Sequence, residues 1–346
     1  MFYELRNSFD LIEMYKVSIL VPIFKAERYI EKCVNSLFEQ TYSNLEFVFV
    51  NDCTPDKSIE LLEKELENYP NRFGQTKIIH NEQNLGAAAS KNIAIDHATG
   101  LFVCFVDADD WMELNAIELL IRDYMETGCD VIWGRMALHT KEGTSVMEEP
   151  EYPDKQQWVN SYIRENGGGA LLSNSRRIIR RDLIESNKIR MKEGYNYSED
   201  RLFMIQVAYY AQSFSTIKDT IYHYNKLNDE SQTEIIVEEK GLIERYKQIL
   251  GNYQLVEDFF LNKEKEYYAE AVKTKLTVLK EVMDMALRYP SRVLFYNVVK
   301  KINETDRKFW YIIGWDKSNS WRCRHSNYFY RRVLPIVRGF CKRIIN

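Results

Sequence analysis

The 346-residue chain lacks the features that mark several large classes of protein. Its 7 prolines and 14 glycines are too few for a collagenous or low-complexity chain, and 45% hydrophobic residues argue against disorder throughout. The best apolar run, Val17 to Phe24, is far shorter than the roughly 20 residues of a membrane-spanning helix. The N-terminal segment carries acidic residues where a secretion signal needs an apolar stretch. These absences predict a cytoplasmic globular protein.

The six cysteines form no C-x-x-C pair and have no histidine at metal-ligand spacing. This pattern argues against a zinc site and against a disulfide framework. Cys33 and Cys104 stand among apolar residues and are predicted to be small buried side chains. The chain also has no Walker A sequence and no G-x-G-x-x-G, so the usual signatures of nucleotide hydrolysis and NAD binding are missing.

Charge is balanced overall but not locally. The 47 basic and 51 acidic residues give a formal net charge of −4. The tail from Ser318 to Asn346 holds seven basic residues and no acidic one, so it carries +7 and the rest of the chain −11. Aromatic and aliphatic residues lie between these charges, which is typical of a segment that binds a membrane surface. The alternative is a terminal helix packed on the domain, and no nucleic acid partner is expected.

The first 135 residues alternate between strand-like and helix-like patterns. Apolar, often β-branched runs predict buried strands at 17–24, 45–50, 76–80, 101–106 and 131–133. Helical stripes lie between these runs, and Asp56 is predicted to cap the second helix. This alternation predicts an α/β fold with a mainly parallel central sheet and ligands at the carboxyl ends of its strands. Because the pattern becomes helical and aromatic-rich after about residue 235, we expect an α/β domain at 15–235 and a helical extension at 236–346.

The sharpest chemical signal is Asp107-Ala108-Asp109-Asp110, directly after the apolar strand that ends at Val106. Carboxylates gathered at a strand end repel one another unless a cation lies between them. Mg²⁺ or Mn²⁺, held by one or two carboxylates and completed by phosphate oxygens, meets that need. The alternative is a helix N-terminus that carries acidic residues.

Two further segments place polar groups where a nucleotide could meet the sheet. Asp52 follows the second strand and could accept a hydrogen bond from a base imide or a ribose hydroxyl; ordinary turn chemistry is the alternative. The segment from Asn81 to Asn92 is a small-residue loop that opens a helix, so its backbone N–H groups and the Lys91 ammonium could approach an anion. A helix built for close packing is the alternative there.

A last segment, Tyr197-Ser198-Glu199-Asp200, precedes a helix that carries Phe203. Ser198 as a cap, with acidic residues in the first helical turn, is a common N-terminal arrangement. A catalytic carboxylate is the alternative, and spacing alone does not decide between the two.

Taken in order, these motifs resemble the family 2 glycosyltransferases with a GT-A fold. The stretches that carry the resemblance are VSILVPIFKAERYIEKCVNSLFEQTYSNLEFVFVNDCTPDKS, NEQNLGAAASKNIAIDHATGLFVCFVDADDW and YSEDRLF. The likeness is collinear from about Val17 to Phe203 and extends weakly through Tyr222-His223-Tyr224. It implies transfer of a sugar from a nucleotide-diphosphate donor, a UDP-sugar, to an acceptor hydroxyl, with inversion at the anomeric carbon.

The resemblance also implies roles for individual residues. Asp107 and Asp109 match the D-x-D motif, the first near ribose and metal and the second a direct ligand of Mg²⁺ or Mn²⁺. Asp200 matches the general base, and Glu199 is its acidic neighbour near the acceptor. Binding of the nucleotide-sugar is implied for Pro22, Phe24, Glu27, Asp52, Asn84, Gly86, Lys91, Asp107 and Ala108.

Three positions depart from the family pattern. Phe24 stands where tyrosine is usual, Cys53-Thr54 replaces Gly-Ser, and Lys91 replaces the arginine that grips the diphosphate. The chain also lacks the Q-x-x-R-W motif of processive members, which favours addition of a single sugar. If the basic tail docks on the inner face of the cell membrane, the resemblance implies a lipid-linked saccharide acceptor, as in cell-surface polysaccharide or glycolipid assembly.

Two other functions stay open on the sequence alone. A sugar nucleotidyltransferase would need a glycine-rich triphosphate loop after the first strand, and Phe24-Lys25-Ala26-Glu27 contains no glycine. A non-catalytic nucleotide-sugar-binding or scaffold homologue is favoured by the three departures. The retained acids Asp107, Asp109 and Asp200 argue against it.

Overall fold

The structure is a computed structural model, which describes residues 14–147, 152–164, 173–195, 198–227 and 239–288. For residues 239–246 and 280–288 it describes the helix backbone alone. The basic tail at 318–346 lies outside the described residues, and so does Tyr197.

The strands of the described residues form a nine-stranded mixed sheet. They are β1 (Val17–Ile23), β2 (Leu45–Asn51), β3 (Thr76–His80), β4 (Phe102–Phe105), β5 (Trp111–Met112), β6 (Val131–Thr140), β7 (Gly143–Val146), β8 (Arg177–Arg180) and β9 (Phe214–Asn225). Their spatial order is β3-β2-β1-β4-β8-β6-β9-β5, and β7 pairs with β6 at the side. β3, β2, β1 and β4 run parallel to one another, as predicted, whereas β8 is antiparallel to both β4 and β6.

The helices cover both faces of this sheet. They are α1 (Ile30–Phe38), α2 (Ser58–Glu67), α3 (Ala87–His97), α4 (Ala116–Thr127), α5 (Lys155–Arg164), α6 (Arg181–Ser186), α7 (Glu199–Tyr210), α8 (Glu239–Phe260) and α9 (Lys265–Arg288), with a 3₁₀ turn at Pro70–Gln75. Among the described helices, none combines the length and apolar character that crossing a bilayer requires.

Burial on both faces explains why the predicted central strands are mainly apolar. Along β1, Val17, Ile19 and Val21 pack with residues of α1, α2 and α4, while Leu20 faces the opposite side. On that opposite side the core is built from α3, α5 and α7 together with the C-terminal helices. Cys33 and Cys104 are fully buried, as predicted.

The C-terminal helices share this second core. Phe260 of α8 and Tyr267 of α9 belong to the same apolar cluster as Phe203 of α7. The Arg201 guanidinium of α7 lies 4.5 Å from the ring centroid of Tyr253, a cation–π contact between α7 and α8. The helical character predicted after residue 235 is therefore present, and these helices pack directly on the helix that begins with Glu199 and Asp200.

A buried carboxylate ties together the edge of the sheet opposite the predicted site. Glu46 of β2 accepts hydrogen bonds from the Ser18 hydroxyl at 2.7 Å and the Thr99 backbone N–H at 2.8 Å, and it pairs with Lys77 at 2.7 Å. Burial raises the pKa of Glu46, but these hydrogen bonds outweigh it and lower the pKa to about 2. The carboxylate is therefore ionised in the folded protein at neutral pH.

Two predictions about local structure need correction. β6 extends to Thr140 rather than ending at Trp133, and it is followed by β7, β8 and β9, although no strand was predicted beyond 131–133. α2 begins at Ser58 with Lys57 as its N-cap residue, so Asp56 is not the cap. Asp56 lies one position before the cap, and its carboxylate accepts a hydrogen bond from the Ser58 N–H at 3.2 Å.

Candidate active site

The parallel strands bring the predicted site residues to one edge of the sheet. Because β1, β2, β3 and β4 run in the same direction, the segments that follow their carboxyl ends lie side by side. These segments are the loops at 24–27, 52–57, 81–86 and 107–110. Pro22 lies within β1, opposite Val50 of β2, and Phe24 follows β1 with 40% of its surface exposed.

Asp56 joins the first two of these loops. Its Oδ2 accepts a hydrogen bond from the Glu27 backbone N–H at 3.0 Å, and its Oδ1 accepts bonds from the hydroxyls of Thr54 and Ser58 at 2.7 and 2.6 Å. The Thr54 hydroxyl in turn accepts the Lys25 N–H at 2.8 Å. Glu27 is thus held to the second loop by its backbone, and its own carboxylate accepts the Lys57 N–H at 3.4 Å.

Asp52 is buried, and its carboxylate binds the third loop. Its Oδ1 accepts bonds from the Leu85 N–H at 2.7 Å and the Asn81 side-chain amide at 2.9 Å, and its Oδ2 accepts the Gly86 N–H at 2.9 Å. The Asn84 side chain donates to the Asp52 carbonyl at 3.4 Å. The backbone N–H groups of Leu85 and Gly86, which the sequence offered to an external anion, therefore bind the chain's own carboxylate.

The D-x-D segment is fixed by the last strand of the sheet. The Tyr222 hydroxyl accepts the Asp107 N–H at 3.2 Å and donates to Asp110 Oδ2 at 2.7 Å. Asn225 adds two bonds: its N–H donates to Asp110 Oδ1 at 2.8 Å and its side-chain amide donates to the Asp109 carbonyl at 3.2 Å. Burial, together with the carboxylates of Asp109 and Asp107, raises the pKa of Asp110 well above its ordinary value.

Lys91 connects the D-x-D segment to the start of α7. Its Nζ lies 3.4 Å from Asp107 Oδ1, 3.3 Å from Glu199 Oε1 and 3.3 Å from Asp200 Oδ1. The lysine side chain is 3% exposed and that of Asp107 is 35% exposed, so the cluster opens to solvent on the side of Asp107. Four residues predicted to share a site, drawn from the loop after β4, from α3 and from α7, are thereby brought together around the Lys91 ammonium.

Burial and charge determine how this cluster holds protons. Burial, with the neighbouring Asp200 carboxylate, raises the pKa of Glu199 to about 7, although Lys91 opposes the shift. Burial also raises the pKa of Asp200, and Lys91 beside it limits the rise. The three carboxylates outweigh burial at Lys91 and raise its pKa well above the ordinary value, so the lysine is charged at neutral pH.

Two neighbours of Asp200, Ser198 and Asn174, have unusual local structure. Ser198, the N-cap residue of α7, has φ +57°, and it makes no side-chain capping bond, contrary to the ordinary capping arrangement. Asn174 donates its backbone N–H to Asp200 Oδ2 at 3.4 Å. The Asn174 side chain is fully buried, and neither its amide nitrogen nor its oxygen has a hydrogen-bond partner among the residues that the structure describes.

The D-x-D residues fit a divalent cation in part. Both oxygens of Asp110 accept hydrogen bonds, from Tyr222 and Asn225, and the side chains of Asp107 and Asp109, the two predicted ligands, are half-buried. No group of three or more His, Cys, Asp or Glu residues within the described residues is placed to hold a metal ion. Two hard oxygen ligands match a Mg²⁺ or Mn²⁺ ion whose remaining ligands come from substrate phosphates.

Three residues that contact the predicted site residues belong to none of the assigned motifs: Tyr222, Asn225 and Asn174. The only sequence signal was the weak resemblance at Tyr222-His223-Tyr224, which carried no role. Tyr222 is 115 residues from Asp107, and Asn174 is 26 residues from Asp200, so local spacing could not pair them.

Comparison with known proteins identifies the family. The model of glycosyl transferase family 2 matches residues 18–197, more than half of the chain. The chain belongs to glycosyl transferase family 2. This confirms the predicted family and enzyme class, and the match includes the D-x-D segment and the loops that follow β1, β2 and β3.

Among curated proteins, the transferase is 32% identical over 216 residues to the putative glycosyltransferase EpsH of Bacillus subtilis. That alignment covers 62% of this chain and 61% of EpsH. The transferase is also 29% identical over 222 residues to the poly(ribitol-phosphate) beta-N-acetylglucosaminyltransferase TarS of Staphylococcus aureus. This second alignment covers 61% of this chain and 35% of TarS. The chain thus spans less than two thirds of either relative.

Solved structures confirm the predicted GT-A fold. The transferase superposes on residues 1–349 of S. aureus TarS in complex with UDP with a TM-score of 0.54 and 21% identity, covering 87% of this chain and 93% of that one. It also resembles the mannosyltransferase PcManGT of Pyrobaculum calidifontis in complex with GDP-Man and Mn²⁺, with a TM-score of 0.51 and 14% identity. That likeness covers 88% of this chain and 89% of PcManGT.

Proposed function

We propose that the transferase moves one sugar from a UDP-sugar to an acceptor hydroxyl, with inversion at the anomeric carbon and with Asp200 as general base. The observation that carries this proposal is the contact of Lys91 with both Asp107 and the Glu199–Asp200 pair. Such a transfer needs a carboxylate beside the diphosphate and a second one beside the acceptor hydroxyl, and Asp107 and the Glu199–Asp200 pair would supply them.

A nucleotide-sugar donor is supported by what the structural neighbours bind. Crystal structures of TarS hold UDP and UDP-GlcNAc, and PcManGT holds GDP-Man. In this chain the nucleotide would lie at the carboxyl edge of β1 and β2. The residues that we expect to line it are Pro22, Phe24, Glu27, Asp52, Asn84, Gly86 and Ala108. Because Asp52 already binds the loop at 85–86, its effect on base binding would come partly through the shape of that loop.

Asp200 would take the proton of the acceptor hydroxyl as that hydroxyl attacks. A sugar hydroxyl is a weak nucleophile at neutral pH, and general-base help typically contributes about 10²–10⁴-fold in rate. Lys91 and the Asn174 N–H contact opposite oxygens of Asp200, which fixes the orientation of the carboxylate. With the base on one side of the anomeric carbon and the diphosphate on the other, attack comes from the face opposite the leaving group, which gives inversion.

Asp107 and Asp109 would hold Mg²⁺ or Mn²⁺ at the diphosphate. A bound divalent cation supplies charge neutralisation for the departing nucleotide diphosphate. The contribution of the chain is to hold the two ligands in place through Tyr222 and Asn225, whose hydrogen bonds fix the loop backbone.

A panel of nucleotide sugars, incubated with and without Mn²⁺ and read by mass spectrometry, tests this proposal. We expect one donor to be hydrolysed or transferred, Asp109→Ala to remove the Mn²⁺-dependent activity, and Asp200→Asn to remove transfer while UDP still binds. Asp96→Asn is a matched control, because Asp96 is an exposed carboxylate paired with Arg190 on the surface. A panel without turnover from a protein that binds UDP would instead support a non-catalytic binding homologue, and normal turnover by Asp200→Asn would remove Asp200 from its role.

We further propose that the acceptor is a saccharide or lipid-linked saccharide of cell-surface polysaccharide or glycolipid assembly, reached at the inner face of the membrane through residues 318–346. The +7 charge of this tail supports binding to anionic lipid. Deleting the tail should weaken sedimentation with vesicles that contain an anionic lipid, while binding to neutral vesicles stays weak in both forms. Equal sedimentation of both forms with anionic vesicles would assign the tail a structural role.

A further inference from the structure

Three carboxylates surround the Lys91 ammonium, which donates hydrogen bonds to Glu199 and Asp200 and forms an ion pair with Asp107. A lysine ammonium has three N–H donors and no acceptor. Asp107, Glu199 and Asp200 each place one oxygen 3.3–3.4 Å from Nζ, and the side chain is 3% exposed. With all three carboxylates ionised, the lysine and its partners carry a formal net charge of −2, and with Glu199 protonated, as its pKa of about 7 allows at neutral pH, the charge is −1. A diphosphate approaching the ammonium would meet surplus negative charge in either state.

This arrangement differs from what the family resemblance implies for the position. An arginine there would offer five donors in a planar fork and could contact a carboxylate and a phosphate together. Lysine has fewer donors, and here Glu199 and Asp200 accept hydrogen bonds from two of them while Asp107 lies 3.4 Å from Nζ. The diphosphate grip implied for Lys91 would therefore compete with contacts that the buried ammonium already makes to three carboxylates.

We infer that Lys91 is a positioning residue for the Glu199–Asp200 pair, which it holds against Asp107, and is not a diphosphate ligand. This inference rests on the proposed function, because the positioned group is the proposed base. Lys91 would act through Asp200, by fixing where the carboxylate stands when the acceptor hydroxyl attacks.

The backbone on either side of the contact is fixed as this role requires. The neighbouring Asn92 forms two reciprocal bonds with Met191, whose carbonyl accepts the Asn92 amide at 3.0 Å and whose N–H donates to the Asn92 oxygen at 2.8 Å. These bonds attach α3 to the segment that leads towards α7. On the other side, the Asn174 N–H donates to Asp200 Oδ2, so each oxygen of the carboxylate has its own partner.

The test separates binding of the nucleotide from turnover in Lys91→Met and Lys91→Arg. Calorimetry with UDP and Mn²⁺ measures nucleotide affinity without any need for a sugar donor. Steady-state rates with the donor found in the panel give kcat and KM. Lys275→Met is a matched control, because Lys275 is also a buried lysine, 2.6 Å from the Glu257 carboxylate and between the C-terminal helices.

For a positioning residue, Lys91→Met should keep the Kd for UDP within about threefold and lower kcat by about 100-fold or more, the lower end of what a general base supplies. Lys91→Arg should restore kcat to within about tenfold of the original protein, because its fork can bridge two carboxylates. Lys275→Met should leave kcat unchanged. A Kd for UDP weakened about tenfold or more by Lys91→Met, with kcat nearly unchanged, would overturn the inference and restore the diphosphate role.

A second variant keeps the test decisive if Lys91→Met does not fold. The double substitution Lys91→Met with Glu199→Gln leaves two carboxylates and no ammonium, so the formal charge of the cluster stays at −2. Retained UDP affinity in this folded protein supports the inference, and a tenfold weaker affinity overturns it. Because this measurement needs no turnover, it gives an answer even if the donor panel shows no activity and the proposed function fails.

Discussion

Replacing Tyr222 by phenylalanine removes one oxygen atom from the centre of the D-x-D segment. That oxygen accepts the Asp107 N–H at 3.2 Å and donates to the buried Asp110 carboxylate at 2.7 Å. A hydrogen bond contributes about 0.5–1.5 kcal/mol net, and leaving a buried donor or acceptor unpaired costs about 1–3 kcal/mol for each group. Since the Asp107 side chain is partly exposed and solvent can reach its loop, we expect Tyr222→Phe to lower the free energy of unfolding by about 2–4 kcal/mol.

Urea unfolding followed by circular dichroism measures this loss, with an unchanged dependence on urea as evidence that unfolding stays two-state. Tyr210→Phe is the matched control: Tyr210 is half-buried and packs on the rings of Tyr209 and Phe259, so the same deletion should change stability by about 0.5 kcal/mol or less. In the proposed reaction, Tyr222→Phe should also lower turnover by more than the folded fraction explains, because Asp107 loses its backbone anchor. If Tyr222→Phe lost no more stability than Tyr210→Phe, the Tyr222 hydroxyl would not be what holds the loop at 107–110 in place.

Three other substitutions test local features of the fold. Glu46→Gln should lower the free energy of unfolding by about 3 kcal/mol at neutral pH, because the pKa of Glu46 is lowered to about 2 in the folded protein. This stabilisation is present above the unfolded pKa of about 4.5 and is lost as the pH falls towards 2. Urea unfolding should therefore show a smaller difference in stability between the two proteins at pH 3 than at pH 7. Cys53→Gly should raise stability by about 1 kcal/mol in the same assay, since Cys53 has φ +55°, which glycine adopts without strain, and a decrease would contradict the strain argument. Gly100→Ala should lower the melting temperature, because a Cβ there would lie 2.7 Å from the Lys16 carbonyl and 2.8 Å from the Ser18 N–H nitrogen; an unchanged value would show that this contact can relax.

The strands and loops that build the edge of the site could be predicted from the sequence because burial on two faces leaves a plain signal. β1, β2 and β4 are buried along nearly their whole length, so each is a mainly apolar run, interrupted by Ser18 in β1 and Glu46 in β2, with polar residues within two positions of its end. β7 is fully exposed and β9 mixes exposed with buried positions, so neither has a hydrophobic pattern that stands out from a loop. The half of the sheet that carries Tyr222 was missed for this reason.

Which charged groups meet could not be predicted from spacing. Lys91 and Asp200 are 109 residues apart, and their contact depends on how α3 and α7 pack on the same face of the sheet. The sequence shows a lysine near a helix start and two acids near another, which suits a diphosphate ligand as well as a counter-ion. The same holds for Asp52, whose type suits a nucleobase and whose carboxylate the fold directs to Leu85 and Gly86.

The packing of the C-terminal helices on α7 has a practical consequence for dissecting this protein. Phe260 and Tyr267 fill the core cluster that Phe203 also occupies, and Arg201 lies on the Tyr253 ring one residue after Asp200. A truncation at residue 235, where the sequence pattern changes, would expose that core and free the helix that begins with the proposed base. The search for a minimal active fragment should therefore begin with a chain that ends after Arg288 and shorten it stepwise from there.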